Sequence, residues 1–219
     1  MDDHVSAPPR RQQQRSAGTR RAIIDAALTI FAERGFDGAS TRAISERAGV
    51  PQPLLVYHFR TKDELWRAVA RSIFDLVDGD RKRDAVSERT GPAIARVRRE
   101  FHLLFRSTLT RPQLHQFMLR EAMPGSPRLA WLVEQHLKPY FDHILPDIAA
   151  AQAAGGLPSG DPILLYYMLI GMTTALTSLG TEIEAATGRS YRDIRTADSY
   201  WSMIDQAMFG AAPGAAPPS

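Results

Sequence analysis

Apolar residues in this chain recur at helical spacing between residues 20 and 209, and nowhere do they alternate as a half-buried strand requires. That periodicity commits the chain to an all-α architecture, with glycines and prolines marking the joints. In the segment 20–34, Ile23, Ile24, Ala27, Leu28, Ile30 and Phe31 form one stripe, and Gly35 supplies a left-handed stop. Ser40 is a suitable N-cap for a short helix over 41–48, whose Ala43, Ile44 and Ala48 face inward before Gly49 turns the chain. Pro51 and Pro53 fall in the first turn of a third helix reaching Phe59, where the leading N–H groups have no helical partner to lose. Thr61 and Glu64 make a T-x-x-E capping box, which opens a fourth helix toward Gly79.

Longer helices are expected over 92–109, 112–123, 127–144, 148–154, 161–187 and 192–209. The 219 residues then divide into four parts. Residues 1–16, polar and arginine-rich without periodicity, are expected to be a disordered basic arm. Residues 17–64 make a compact three-helix unit with a helix-turn-helix, 65–210 a larger helical domain, and 211–219 a flexible tail.

Several classes of function are excluded by what the chain lacks. It has no cysteine, so it carries no disulfide, zinc-thiolate site or cysteine nucleophile. No G-x-S-x-G elbow, H-E-x-x-H, P-loop or dinucleotide-binding glycine pattern occurs, so no enzyme and no cofactor are expected. The first fifteen residues have no apolar run, which leaves the cytoplasm as the expected location. Residues 162–181 are uncharged for 20 positions, long enough to span a bilayer. Their flanks are Asp161 and Glu182, and Gly171, Thr173, Thr174, Thr177 and Ser178 dilute them, so a buried helix and no membrane span is the better reading.

Charge separates the chain into halves of opposite sign. Residues 1–120 hold 22 Lys and Arg against 14 Asp and Glu, whereas 121–219 hold 5 against 10. A polyanion gripped by the N-terminal half fits that split, although a solvated basic face would show it too. A short helix, a glycine turn and a second short helix is the layout in which the second helix enters the major groove of DNA. Plain packing corners share it, so side-chain chemistry has to decide. Gln52, Tyr57, His58, Arg60 and Lys62 cluster around the second helix, with Thr41 and Arg42 at the start of the first. These are the residue types that meet phosphates and base edges.

Over residues 20–70 the chain resembles the TetR family of one-component transcriptional regulators, through the run ERGFDGASTRAISERAGVPQPLLVYHFRTKDELW. The resemblance implies that Thr41 and Tyr57 touch phosphates, Arg42 and Gln52 reach base edges, Pro53 lies against the groove, and His58 and Lys62 bind backbone phosphate. Two positions depart from the family pattern: Pro51 stands where Ser or Thr is usual, and Val56 where Tyr is usual. Family membership further implies a C-terminal dimerisation and effector-binding domain, double-stranded DNA with a palindromic operator as partner, and repression as the default. An effector-independent architectural DNA-binding protein is the alternative.

The helix over 161–187 carries Leu164, Met168, Gly171, Ala175 and Leu179 at three-four spacing, and the helix over 192–209 carries Ile194, Ala197, Trp201, Ile204 and Met208. These stripes suit a homodimer through both helices, and equally an intramolecular core. Candidate pocket residues for an unknown small-molecule effector are Phe101, His102, Phe105, Phe117, Met118, Trp131, Tyr166, Tyr167 and Met172, although aromatic and methionine stripes more often serve as packing. His136 and His143 lie seven apart, but a metal site needs three or four ligands, and none is expected.

Overall fold

A computed structural model describes residues 10–88 and 91–210. All described elements are helical, and no strand occurs among the described residues. The chain forms two compact units that meet in sequence between Asp75 and Leu76, eleven residues beyond the expected boundary at 64/65. The expected tail and residues 1–9 of the expected arm lie outside the described residues.

In the first unit, α1 (Arg10–Gly38) starts inside the segment expected to be disordered, so residues 10–16 are helical. Its stripe of Ile23, Ala27, Ile30 and Phe31 is buried as the periodicity requires. Gly35 sits at φ 70° and ψ 178°, a conformation open essentially to glycine alone, and it kinks the chain before one further turn ends at Gly38. The kink lets Phe36 fold back on Phe31, the rings stacking 5.9 Å apart. α2 (Thr41–Ala48) follows, with Ser40 Oγ accepting from Ala43 N at 3.1 Å and Gly49 closing it in the left-handed region at φ 66°. α3 (Gln52–His58) is only seven residues long, and its N-cap Pro51 has no hydroxyl to offer. α4 (Lys62–Glu88) opens on the expected capping box, in which Glu64 N donates to Thr61 Oγ1 at 3.1 Å while the Glu64 carboxylate accepts from Arg60 N. α4 continues past Gly79, where a stop was expected, because nothing at that position demands a left-handed backbone.

The second unit is built around α5 (Ala93–Thr110), which packs against α6 (Pro112–Glu121), α8 (Lys138–Ala153), α9 (Pro162–Ser178) and α11 (Ile194–Phe209). Its main core joins Val97 and Phe101 to Ile144, Ile148, Leu165, Leu169 and Ile204. A smaller cluster joins Phe105, Leu176 and Ala197. Between α7 (Leu129–Leu132) and α8 the helix widens into a π turn over Val133–Leu137, with Lys138 N donating back to Val133 O. Pro139 explains the widening: it has no N–H, and its ring would press on the carbonyl four residues earlier in a regular helix. Pro146 is tolerated inside α8, which merges two expected pieces into one.

The uncharged run is also not one helix. α9 and α10 (Gly180–Thr187) meet at 57°, and among the described residues no single helix is long and apolar enough to cross a membrane. Thr173, Thr174 and Thr177 turn their hydroxyls back on backbone carbonyls along α9, which favours bending. At the joint itself the ring of Tyr191 fills the space beside Gly180, where an added Cβ would sit 2.5 Å from the Tyr191 Cδ1.

Two glycine substitutions separate backbone strain from packing, since neither position has a neighbour within 4 Å of an added Cβ. Gly35→Ala should destabilise by about 1–3 kcal/mol through its backbone conformation alone. Gly18→Ala, inside α1, should stabilise by about 0.5–1 kcal/mol. Urea denaturation of each variant reads both signs, and equal effects would show that Gly35 is not strained.

Candidate nucleic-acid interface

α3 divides its few residues cleanly between inside and outside. Leu55 is buried against the first unit's core, as is Phe59 just beyond the helix, while Leu54 and His58 are half-buried. Gln52, Pro53, Val56 and Tyr57 share the opposite face, and all four are exposed. Tyr57 is 78% exposed, an unusual position for an aromatic ring that has a core within reach. Its ring meets that of His58 edge-on at 5.4 Å, so the half-buried imidazole backs the exposed phenol. Val56 is the residue that the sequence reading left out of the face; its spacing of three from Pro53 and four from Gln52 is the signal for it.

The start of α2 is brought beside the start of α3. Gln52 Nε2 donates to Thr41 Oγ1 at 3.4 Å, a long bond between two residues both expected at the interface. Arg42 lies on the exposed face of α2, with its guanidinium donating to Glu46 at 2.9 Å. That carboxylate raises the already high pKa of Arg42. An exposed i,i+4 pair of this kind contributes little to stability, so Arg42 can exchange Glu46 for another anion at small cost.

Lys62 behaves differently from the other expected contacts. Its ammonium donates to Phe36 O at 2.9 Å and to Ala39 O at 3.0 Å, and lies 4.4 Å from the centre of the Phe36 ring. A cation at the first residue of a helix opposes the helix dipole, and the carbonyls at the end of α1 offset that penalty. Lys62 therefore ties the end of α1 to the start of α4, and two of its three donors are turned inward. Arg20 extends the basic margin, its guanidinium lying 5.0 Å from the centre of the Phe59 ring.

In the second unit the expected pocket residues separate by burial. Phe101, Phe105, Phe117 and Tyr166 are core, and Tyr166 has its phenol pKa pushed up, first by burial and then by Tyr167 and Glu100. His102, Met118, Trp131 and Met172 are half-buried, and Tyr167 is exposed. Trp131 meets His136 edge-on at 5.2 Å beside the π turn. Among the described residues no three His, Asp or Glu side chains converge as a metal site. A buried ion pair went unread in the sequence: Glu121, 3% exposed, accepts from Arg128 at 3.2 Å and from Ser126, closing the loop between α6 and α7. Neither partner has the i,i+4 spacing that makes a pair legible in sequence.

A short helix that shows the solvent a tyrosine, a glutamine and no charge, held over a second helix that begins beside it, defines a helix-turn-helix DNA-binding head. Joined to a larger all-helical unit, it places the chain among the helix-turn-helix transcriptional regulators. Residues 23–69 match the family model described as bacterial regulatory proteins, tetR family. The transcriptional regulator RutR of Escherichia coli K12 is 31% identical over 174 residues, covering 80% of this chain and 81% of RutR. The class A tetracycline repressor from transposon 1721 of Escherichia coli is 47% identical over 51 residues, 23% of this chain and 24% of that one. Among solved structures, AibR in complex with isovaleryl coenzyme A and operator DNA matches at a TM-score of 0.71 and 17% identity, covering 89% of this chain and all (100%) of AibR. A regulator from Marinobacter aquaeolei VT8 matches at 0.65 and 20% identity, covering 90% of this chain and 98% of its own. The chain belongs to the TetR family of transcriptional regulators.

Lys62→Ala should lower the stability of the DNA-binding unit by about 1–2 kcal/mol, less than a fully buried charged hydrogen bond because the ammonium is half-exposed. Tyr57→Ala should leave stability within about 0.5 kcal/mol of the parent, as expected for an exposed side chain. Equal losses of thermal stability in the two variants would place Tyr57 in the core and remove Lys62 as a strut.

A second outcome concerns pH. Burial lowers the pKa of His115 from its ordinary 6.5. The unfolded chain then takes up a proton before the folded one, so stability falls as pH drops through 6.5 and levels off below the folded pKa. His115→Gln should flatten part of that slope in denaturation curves taken between about pH 7.5 and pH 5, the range that brackets an imidazole. An unchanged slope would show that His115 is solvated.

Proposed function

We propose that this regulator works as a homodimeric repressor, released from a palindromic operator by a small-molecule effector, and that it performs no catalysis. The observation that carries the proposal is the exposed face of Gln52, Pro53, Val56 and Tyr57 on α3, with Thr41 and Arg42 beside it. Gln52 and Arg42 supply the bidentate hydrogen-bonding types that read adenine and guanine edges, and the apolar edge of Pro53 and Val56 suits a thymine methyl. Tyr57 and Thr41 supply hydroxyls for phosphate, and the imidazole of His58 backs the Tyr57 ring. Lys62 keeps one donor for a phosphate while its other two hold the end of α1 to the start of α4.

Dimerisation is supported by α9. Leu164, Tyr167, Met168, Gly171 and Leu179 form one exposed stripe along it, with Leu164 at 63% and Met168 at 57% exposure. Contiguous apolar surface of this kind marks an association face. On α11, Ala197, Ile204 and Met208 are spent on the chain's own core, so the outward apolar residues there are Ile194 and Met203. A twofold dimer presents two copies of α3 to half-sites about 34–36 Å apart. Effector release is supported by the relatives: AibR is described in complex with isovaleryl coenzyme A and operator DNA, and the class A relative is a tetracycline repressor. An effector-independent architectural role would leave the larger unit without a task.

Selection of bound duplexes from a random library, followed by anisotropy titrations, tests the proposal. The expected product is a palindrome bound by a dimer. Gln52→Ala should relax base preference at one position per half-site by about 1–3 kcal/mol, and Tyr57→Phe should weaken all sequences alike. Met168→Glu should give a monomer that has lost operator binding. Enrichment of single half-sites by a monomer, or indifference of Gln52→Ala across the library, would overturn it.

A further inference from the structure

Positions 95, 98, 99, 102 and 106 fall on one stripe of α5, at successive spacings of three, one, three and four. Ala95, Arg98, Arg99 and His102 from that stripe, together with Trp201 of α11, line a groove of about 390 Å³, and Arg106 lies one turn beyond His102. That volume is within the range that holds a small molecule. The floor is flat and aromatic: His102 stacks on Trp201 with ring centres 4.5 Å apart, and Trp201 in turn stacks on Phe105 at 5.6 Å. The rim is cationic. Arg98 already grips the carboxylate of Asp205 through both Nε and Nη2, which shows that an oxyanion fits its fork.

The charges that face His102 come from both helices: Arg98 and Arg106 on α5, Asp198 and Asp205 on α11. Burial lowers the imidazole pKa most, and Arg106 and Arg98 lower it further than Asp205 and Asp198 raise it. At the imidazole itself the two arginines therefore outweigh the two aspartates. A concavity with a cationic rim and an aromatic floor selects a ligand of two parts, an anionic head and a flat apolar body.

We propose that the groove between α5 and α11 binds a small organic anion, a carboxylate or phosphate whose head meets Arg99 and Arg106 and whose apolar body lies on Trp201 and Ala95. Its binding stands on the groove alone; its use as an effector site rests on the function proposed above.

Benzoate, phenyl phosphate and neutral benzamide are suitable probes for the intact protein carrying ¹³C-labelled histidine, with the His102 ring signal assigned by His102→Asn. Benzoate or phenyl phosphate should raise the His102 pKa on saturation, because an added negative charge favours the imidazolium. The preferred probe of the two identifies the head group. Benzamide should leave the pKa where it was. Arg106→Gln, at an exposed position, should weaken the anion about tenfold, and Asp205→Asn, which removes the resident carboxylate, should tighten it. Failure of both anions to move His102, equal binding of benzamide, or unchanged affinity in Arg106→Gln would each overturn the site. Operator titration with the bound anion is read separately: unchanged operator affinity would leave the site intact and remove only its role as an effector seat.

Discussion

A seven-residue helix cannot sustain itself in water, because nucleation costs more than so few hydrogen bonds return. α3 exists only because Leu55, and Phe59 at its end, are buried beneath it, and the first unit is arranged to keep that burial available. α3 packs against α2 and α1, whose Ile44 and Ile23 are inaccessible to solvent, so its support is drawn from the helices that precede it in sequence. Lys62 fixes the remaining freedom by joining the last carbonyls of α1 to the first turn of α4. With its inner face committed, α3 can leave Tyr57 and Gln52 in solvent without losing its fold. Exposure of those groups is a consequence of how firmly Leu55 and Phe59 are held.

The second unit solves a different problem, the sharing of helix faces. α5 gives Val97, Phe101 and Phe105 to the interior and keeps Arg98, Arg99 and Arg106 for its outer stripe. α9 turns Leu165, Tyr166, Leu169, Thr173 and Leu176 inward, and is left with an apolar outer stripe that nothing in its own chain covers among the described residues. The same helix is apolar all round because it has two apolar duties, one to its own fold and, in the proposed homodimer, one to a partner copy. That double duty is what gives the uncharged run its membrane-like composition.

Much of this was legible in the residues. Capping signals at Ser40 and Thr61, the left-handed Gly49, and the inward stripe of α1 are local features, set by groups within three or four residues of one another. The face of α3 follows from spacing once Leu55 is recognised as core. The all-helical class, the head at the N-terminal end and the kinship with TetR regulators all rest on such short-range signals.

What the tertiary structure decided depends on groups far apart in sequence. The periodicity of α11 could not tell whether Ala197, Ile204 and Met208 serve a partner or the chain itself; packing against Phe101 and Phe105's helix makes them core and leaves Met203 outside. The bonds of the Lys62 ammonium to carbonyls 23 and 26 residues earlier are set by the fold and have no signal in its own segment. The uncharged run reads as one helix until α9 and α10 are seen to meet at 57°, with the Tyr191 ring beside Gly180 at the joint. The groove at Arg99 and Trp201 is invisible in either helix alone, since it forms only where α5 and α11 meet. Local chemistry settles where a helix begins and ends, whereas the use of each face is settled by whatever long-range neighbour excludes water from it.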